Sequence, residues 1–295
     1  MSSLVFATDH RRGTLLAAIG VTVLSFDALL VRLAAAPATD VIFWRGLFMA
    51  VSLAFVLRVA RGRWIGHSLI AGGRSAWILC LSMGLMQVLF VTALLNTAVA
   101  NVVVILTAAP LFAAVISGLF LGEWVGLRTW VAMAVCLAGI ALVFGGSIGT
   151  GQWLGDLLAI TAALGVAINF TLLRRAPGIS RLAVLGGGGA VACLLVAAFA
   201  APLQLGAMSL FWLALMGLVQ MPLALLMMTT ATRYLPSAEV ALFFVIEAVL
   251  GTYWVWLILG EEPPGATLFG GALILGTLVV HSWIALRKER RRGAP

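Results

Sequence analysis

The sequence predicts an all-α protein that crosses a membrane many times. Three observations carry this prediction. Of 295 residues, 63% are apolar and 9% charged. Apolar stretches of about 20 residues, the length that spans a hydrocarbon core, recur along the chain. Basic residues collect in every second break between them. A soluble domain carries roughly 25% charged residues, so this composition cannot solvate a globule of its size.

Ten spans are expected, at residues 13–34, 41–60, 76–95, 99–121, 128–145, 155–174, 182–202, 210–232, 237–259 and 266–286. The breaks carry turn residues or charge, as at Pro37 to Asp40, Arg58 to Arg74, Arg174 to Arg181 and Glu261 to Gly265. Asn96 and Thr97 alone separate the third span from the fourth. The first span could be read as a signal peptide with Ala34, Ala35 and Ala36 as its cleavage site. Its apolar stretch exceeds the 7–15 residues roughly usual for such peptides, so it is expected to stay.

With the N-terminus inside, all of the 18 basic residues except Arg32 and Arg45 fall on the inner side. Those two flank the first outer loop. Ten spans and the positive-inside rule thus support each other, with both termini cytoplasmic. The net charge of +8 is therefore a topology signal, and no nucleic-acid partner is expected. Trp44, Trp153, Trp212, Trp254 and Trp256 fall near the outer face. Trp64, Trp77, Trp124, Trp130 and Trp283 fall near the inner one, as two interfacial belts would have it. Cys80, Cys136 and Cys193 sit singly in apolar runs and read as small packing residues.

The two halves resemble each other. Gly-Thr-Leu-Leu-Ala at residues 13–17 aligns with Gly-Asp-Leu-Leu-Ala at 155–159, which puts Asp27 on Asn169. Leu121, Gly122 and Glu123 align with Leu259, Gly260 and Glu261, which puts Asn101 on Glu239. The organisation expected is an N-terminal segment 1–12, a first five-helix repeat 13–145, a linker 146–154, a second repeat 155–286 and a basic tail 287–295. Five is odd, so the second repeat enters the membrane from the opposite side. Inverted repeats are characteristic of secondary transporters, whose substrates bind near the midplane between the halves.

The five-plus-five pattern and the paired Leu-Gly-Glu motifs resemble the drug/metabolite transporter superfamily, in its EamA branch. So do Ala109, Pro110 and Leu111, and Glu247, Ala248 and Val249, each about a dozen residues before those motifs. Length and pattern are further similar to the YddG-type exporters of aromatic amino acids. The resemblance implies ten helices, cytoplasmic termini, alternating access and export of small metabolites. It also implies the inner (plasma) membrane of a bacterium as location. Where the first repeat has Pro110, the second has Ala248 after Glu247, which departs from the family pattern.

Polar groups deep in a bilayer are expensive and face a cavity or a partner. Glu247, near the middle of the ninth span, leads the candidates. Glu239, Phe243, Glu247, Gly251 and Trp254 recur at three- and four-residue steps and share a helical face. Glu247 is read as a contact for a substrate amine, as the carrier of a coupling proton, or as a protonated structural acid bonded to a neighbouring helix. Asp27 and Asn169 suit either function or packing. Arg45 can bind a substrate carboxylate, pair with Asp27 or Asp40, or snorkel to the interface. Gln87 and Gln220 can hydrogen-bond substrate or hold helices together. Asn101 and Glu239 lie near opposite faces and suit gates. Pro110 and Pro222 break their helices mid-span and suit hinges or static kinks. Glu123 and Glu261 read as structural helix-end acids, and His281 as packing.

No nucleotide-binding loop, zinc-protease motif or nucleophile elbow occurs. No enzyme, cofactor or metal is expected, and one chain holds both repeats, so a monomer suffices. The expected function is export of aromatic and other apolar amino acids, with protons as a candidate coupling ion. Same-fold export of cationic drugs or other metabolites is the alternative, ahead of a channel or an intramembrane lipid-handling enzyme.

Overall fold

The computed structural model describes residues 2–62, 64–121, 126–175, 178–231, 234 and 237–292, and among these all regular structure is helical. The first apolar rod is α1 (Ser2–Leu24) followed by α2 (Asp27–Leu33), with a break at Ser25 and Phe26. Then come α3 (Ala38–Arg61), a short α4 (Ile65–Ala71) and α5 (Gly73–Asn96). A second broken rod is α6 (Val99–Leu106) with α7 (Ala109–Leu121), and α8 (Leu127–Ile148) closes the half. The second half has α9 (Trp153–Arg175), α10 (Arg181–Val196) and α11 (Ala207–Ala214). A π-helix, Leu215–Gln220, continues α11 into α12 (Met221–Ala231). Then follow α13 (Ser237–Leu259) and α14 (Gly265–Arg292).

Among the described residues eight stretches are long and apolar enough to cross a membrane. Two shorter apolar helices, Arg181–Val196 and Val245–Leu259, accompany them. The boundaries depart from expectation in three places. Helix α1 begins at Ser2, so residues expected to form a separate N-terminal segment extend the first rod. Helix α14 runs to Arg292, so the basic tail continues the last helix. The expected loop between the second and third spans contains α4. Its Leu69 is buried in a cluster with Leu53, Leu57, Leu79 and Leu182, an apolar anchor that a charge-rich loop does not advertise.

The halves interlock reciprocally. Helix α1 packs on α12 as α9 packs on α5, and α13 packs on α1 as α7 packs on α9. Between these, α3 lies along α10, and α8 lies along α14. Counted within each half, the first rod meets the other half's third, the fourth meets the first, and the second and fifth meet their own counterparts. Such reciprocity is what two-fold related units produce.

Close approach depends on small residues, as it does wherever helices pack without a hydrophobic driving force between them. The glycines at 186–189 let α10 lie between α3 and α5. A Cβ on Gly189 would sit 2.7 Å from the Gly46 carbonyl oxygen, and one on Gly188 would sit 2.7 Å from Cβ of Met83.

Candidate functional site

The site is built around the break between α1 and α2. At the end of α1 the carbonyls of Val23 and Leu24 lose part of their helical bonding, a cost that must be met inside the protein. Gln220, in the π-turn that precedes Pro222, donates from Nε2 to both, at 2.9 and 3.3 Å. Trp254 of α13 stacks on Phe26, with centroids 4.9 Å apart, and donates from Nε1 to Ser25 Oγ at 3.0 Å. Gly251, one turn earlier, lies beside the Ser25 carbonyl: a Cβ there would be in ordinary contact with that oxygen, at 3.4 Å. The break in the first half is thus held by groups from the second.

The fourth rod breaks at Thr107 and Ala108. Pro110 has no N–H for the Leu106 carbonyl four residues earlier, and Thr107 turns its hydroxyl onto the Val104 carbonyl at 2.6 Å. Both breaks face one cavity of about 220 Å³. Ser25, Asp27, Arg45, Thr107 and Glu247 supply its polar edges, and Met86, Phe90, Val103, Leu106, Val166 and Met221 much of its apolar wall.

Asp27 opens α2, where negative charge is favoured by the helix N-terminus. Arg45 Nη2 donates to Asp27 Oδ2 at 2.9 Å, and both residues are buried. The guanidinium also lies 5.3 Å from the centre of the Phe90 ring. Neither ion is saturated: Asp27 Oδ1 and Arg45 Nε and Nη1 are buried with no hydrogen-bond partner among the described residues. Glu247 lines the same cavity. The cavity therefore holds one paired base, two acids and spare donors and acceptors against an apolar wall.

A second polar cluster lies apart from the cavity. Asp156, fully buried, accepts from Thr97 Oγ1 at 2.7 Å and from Asn101 Nδ2 at 3.0 Å. Asn101 also donates to Ser147 Oγ at 3.0 Å and accepts from the Thr267 hydroxyl. Beside it, Arg32 pairs with Glu261 at 3.3 Å and donates to the Thr97 carbonyl at 2.8 Å. Glu261 Oε1 accepts from the Val99 amide at 2.7 Å, capping α6. This network ties α2, α6 and α8 of the first half to α9 and α14 of the second.

The sequence candidates divide accordingly. Glu247, Asp27, Arg45, Pro110 and Gly251 line the cavity together. Gln220, Pro222 and Trp254 belong to the helix breaks around it rather than to its lining. The snorkelling reading of Arg45 is corrected by its burial, and Asp40 instead accepts from the Ala201 amide at 2.6 Å. Phe243 packs against the cluster of Ala17, Val21, Met228 and Ala231, away from the cavity, so the shared face of α13 is not one continuous lining. Gln87 and Asn169 are buried outside the lining, and both amide atoms of Asn169 lack partners among the described residues. Asn101 belongs to the second cluster. The side chain of Glu239 and all of Glu123 lie outside the described residues. Sequence reasoning missed Asp156, Thr97 and Thr267, whose meeting needs three distant helix ends.

Fold and cavity together define a multi-pass membrane protein with a cavity lined from both halves. The EamA-like transporter family matches residues 11–145 and 153–283, one copy for each half. The chain belongs to that family, and so is a membrane transporter of the drug/metabolite superfamily. A solved crystal structure shares its fold, with a TM-score of 0.62 at 17% identity over 92% of this chain and 98% of that one. No curated protein sequence matches it.

Proposed function

We propose that the protein exports zwitterionic amphipathic metabolites, above all aromatic and other apolar amino acids, by alternating access around the cavity at the two helix breaks. The observation that carries this reading is the unsaturated Asp27–Arg45 pair facing Glu247 across an apolar wall. The spare guanidinium N–H groups, at Nε and Nη1, suit a carboxylate, to which Arg gives charge-assisted hydrogen bonds. Asp27 Oδ1 and Glu247 suit an ammonium group. Phe90, Met86 and Met221 offer aromatic and polarizable contact to an apolar side chain. The same combination would fit the YddG-type exporters that the sequence resembles.

In this reading ten segments cross the inner membrane of a bacterium, with the shorter α10 and the end of α13 among them. The repeats are inverted and both termini are cytoplasmic, as the distribution of basic residues supports. Access alternates by rocking one half against the other. The breaks in the first and fourth rods, with the π-turn before Pro222, are the bending points. The cluster around Asn101 and Asp156 closes the outer end. A monomer supplies the whole pathway.

One observation favours a second reading. The cavity holds one more carboxylate than base, which also suits a cationic drug. Glu247 decides how the surplus is used, as an ammonium ligand or as the carrier of a coupling proton. The test is counterflow of labelled phenylalanine in proteoliposomes, with internal and external pH varied independently. Glu247→Gln is expected to cut exchange by at least about tenfold, or to abolish its response to the pH gradient. Unchanged rate, affinity and pH response would leave Glu247 neither role.

A further inference from the structure

Helices α8 and α14 pack along each other and touch most closely along one half of their length. In the touching half, a Cβ on Gly139 would lie 2.8 Å from the Gly270 carbonyl oxygen, and one on Gly146 would lie 2.5 Å from Cβ of Ala266. Toward the start of α8 and the end of α14 the pair opens into a groove of about 390 Å³. From α8 it is lined by Arg128, Val131, Ala132 and Val135, one face at helical spacing. From α14 it is lined by residues from Ala272 to Ile284, with His281 near the Arg128 end. Gly276 forms part of the floor, and a Cβ there meets nothing within 4 Å.

We propose that this groove is a binding site for one anionic phospholipid, with the phosphate at Arg128 and His281 and an acyl chain along Gly276, Ala132 and Val135. Length, polarity and position each fit that occupant. From Ala272 to Ile284 the helix rises about 18 Å at about 1.5 Å per residue. One leaflet of a core about 30 Å thick is about 15 Å deep. The charged and titratable groups of the groove stand at one end, as a headgroup above its chain requires, and the Thr277 hydroxyl in mid-groove is turned onto the Leu273 carbonyl of its own helix. Arg128 is exposed, and the imidazole Nδ1 of His281 is buried with no partner among the described residues, so neither side chain is fully committed. Trp130 and Trp283, about half exposed, flank that end at the level where interfacial tryptophans sit. In the orientation proposed above, that end lies in the cytoplasmic leaflet, whose anionic lipids attract exposed basic groups. The groove is separate from the transport cavity, and the site stands whatever the transported solute is.

The test uses the full chain in detergent, with native mass spectrometry during titration of phosphatidylglycerol or phosphatidylcholine. The wild type is expected to take up one phosphatidylglycerol at least about fivefold more tightly than phosphatidylcholine, the worth of one basic group beside an anionic headgroup. Arg128→Gln is expected to erase that preference. Gly276→Leu, which fills the groove without meeting protein, is expected to remove the first bound lipid of either kind. Equal binding of both lipids, unmoved by either variant, would overturn the site and leave only a non-specific lipid shell. Retained preference in Arg128→Gln would overturn the headgroup assignment. A wild-type dimer dissociated by Gly276→Leu would overturn it in favour of an interface between two copies of this chain.

Discussion

Arg45 donates through Nη2 to Asp27 Oδ2 at 2.9 Å, joining α3 to the first turn of α2 inside an apolar chamber. Breaking a buried pair leaves an uncompensated charge, which is strongly destabilising, whereas removing both charges is far milder. Arg45→Gln is expected to cost about 3–5 kcal/mol. Asp27→Asn combined with Arg45→Gln is expected to cost clearly less than the two single losses added together. A double-mutant cycle on stability in detergent micelles measures this, and additive losses would show that the ions do not interact.

Gln220 is expected to act as a clamp on the α1–α2 break. Gln220→Leu keeps the bulk but withdraws the donor shared by the Val23 and Leu24 carbonyls. Leaving buried acceptors unsatisfied costs about 1–3 kcal/mol. The variant should lose that much stability and exchange faster at the amides that follow the break, read by hydrogen exchange of Phe26 to Leu29. Unchanged protection there would mean that Trp254 and local turns hold the break unaided.

These two relationships also show what could be read from sequence. Pro110 and Pro222 announce their interruptions because a missing N–H is a local property. The break at Ser25 and Phe26 carries no proline or glycine, and groups about 200 residues away hold it. Glu247, Asp27 and Arg45 were visible as costly charges in apolar runs, and the structure brings them to one cavity. Phe243 shares helical spacing with Glu247 yet packs elsewhere, because a face more than two turns long meets different neighbours along its length. Asp156 entered only as part of the Gly-Asp-Leu-Leu-Ala match at residues 155–159. Its burial under Thr97 and Asn101 depends on how the halves dock.

The Arg32–Glu261 pair and the adjoining Asn101–Asp156 cluster should control opening at their end of the molecule. Glu261→Gln weakens the pair and the cap on the Val99 amide while keeping the shape. In a background with Cys80, Cys136 and Cys193 replaced, Ala98→Cys should react with a membrane-impermeant thiol reagent several-fold faster when Glu261→Gln is present. Residue 98 is buried in the structure, so its labelling reports opening directly. Equal rates would mean that the network does not restrain this end.

Recognition of both charges of a zwitterion by the cavity is the core of the proposed function. Its most direct test is counterflow of labelled phenylalanine in proteoliposomes, competed by phenylalanine, its methyl ester and its N-acetyl derivative. Phenylalanine should compete best, and each capped analogue should be weaker by about tenfold or more, because a buried charged partner is left unpaired. Equal competition by the ester would contradict carboxylate recognition at Arg45 and make the protein a carrier of organic cations. Absence of phenylalanine exchange, from protein shown to be folded, would remove amino acids as the substrate and leave a transporter for another class of solute.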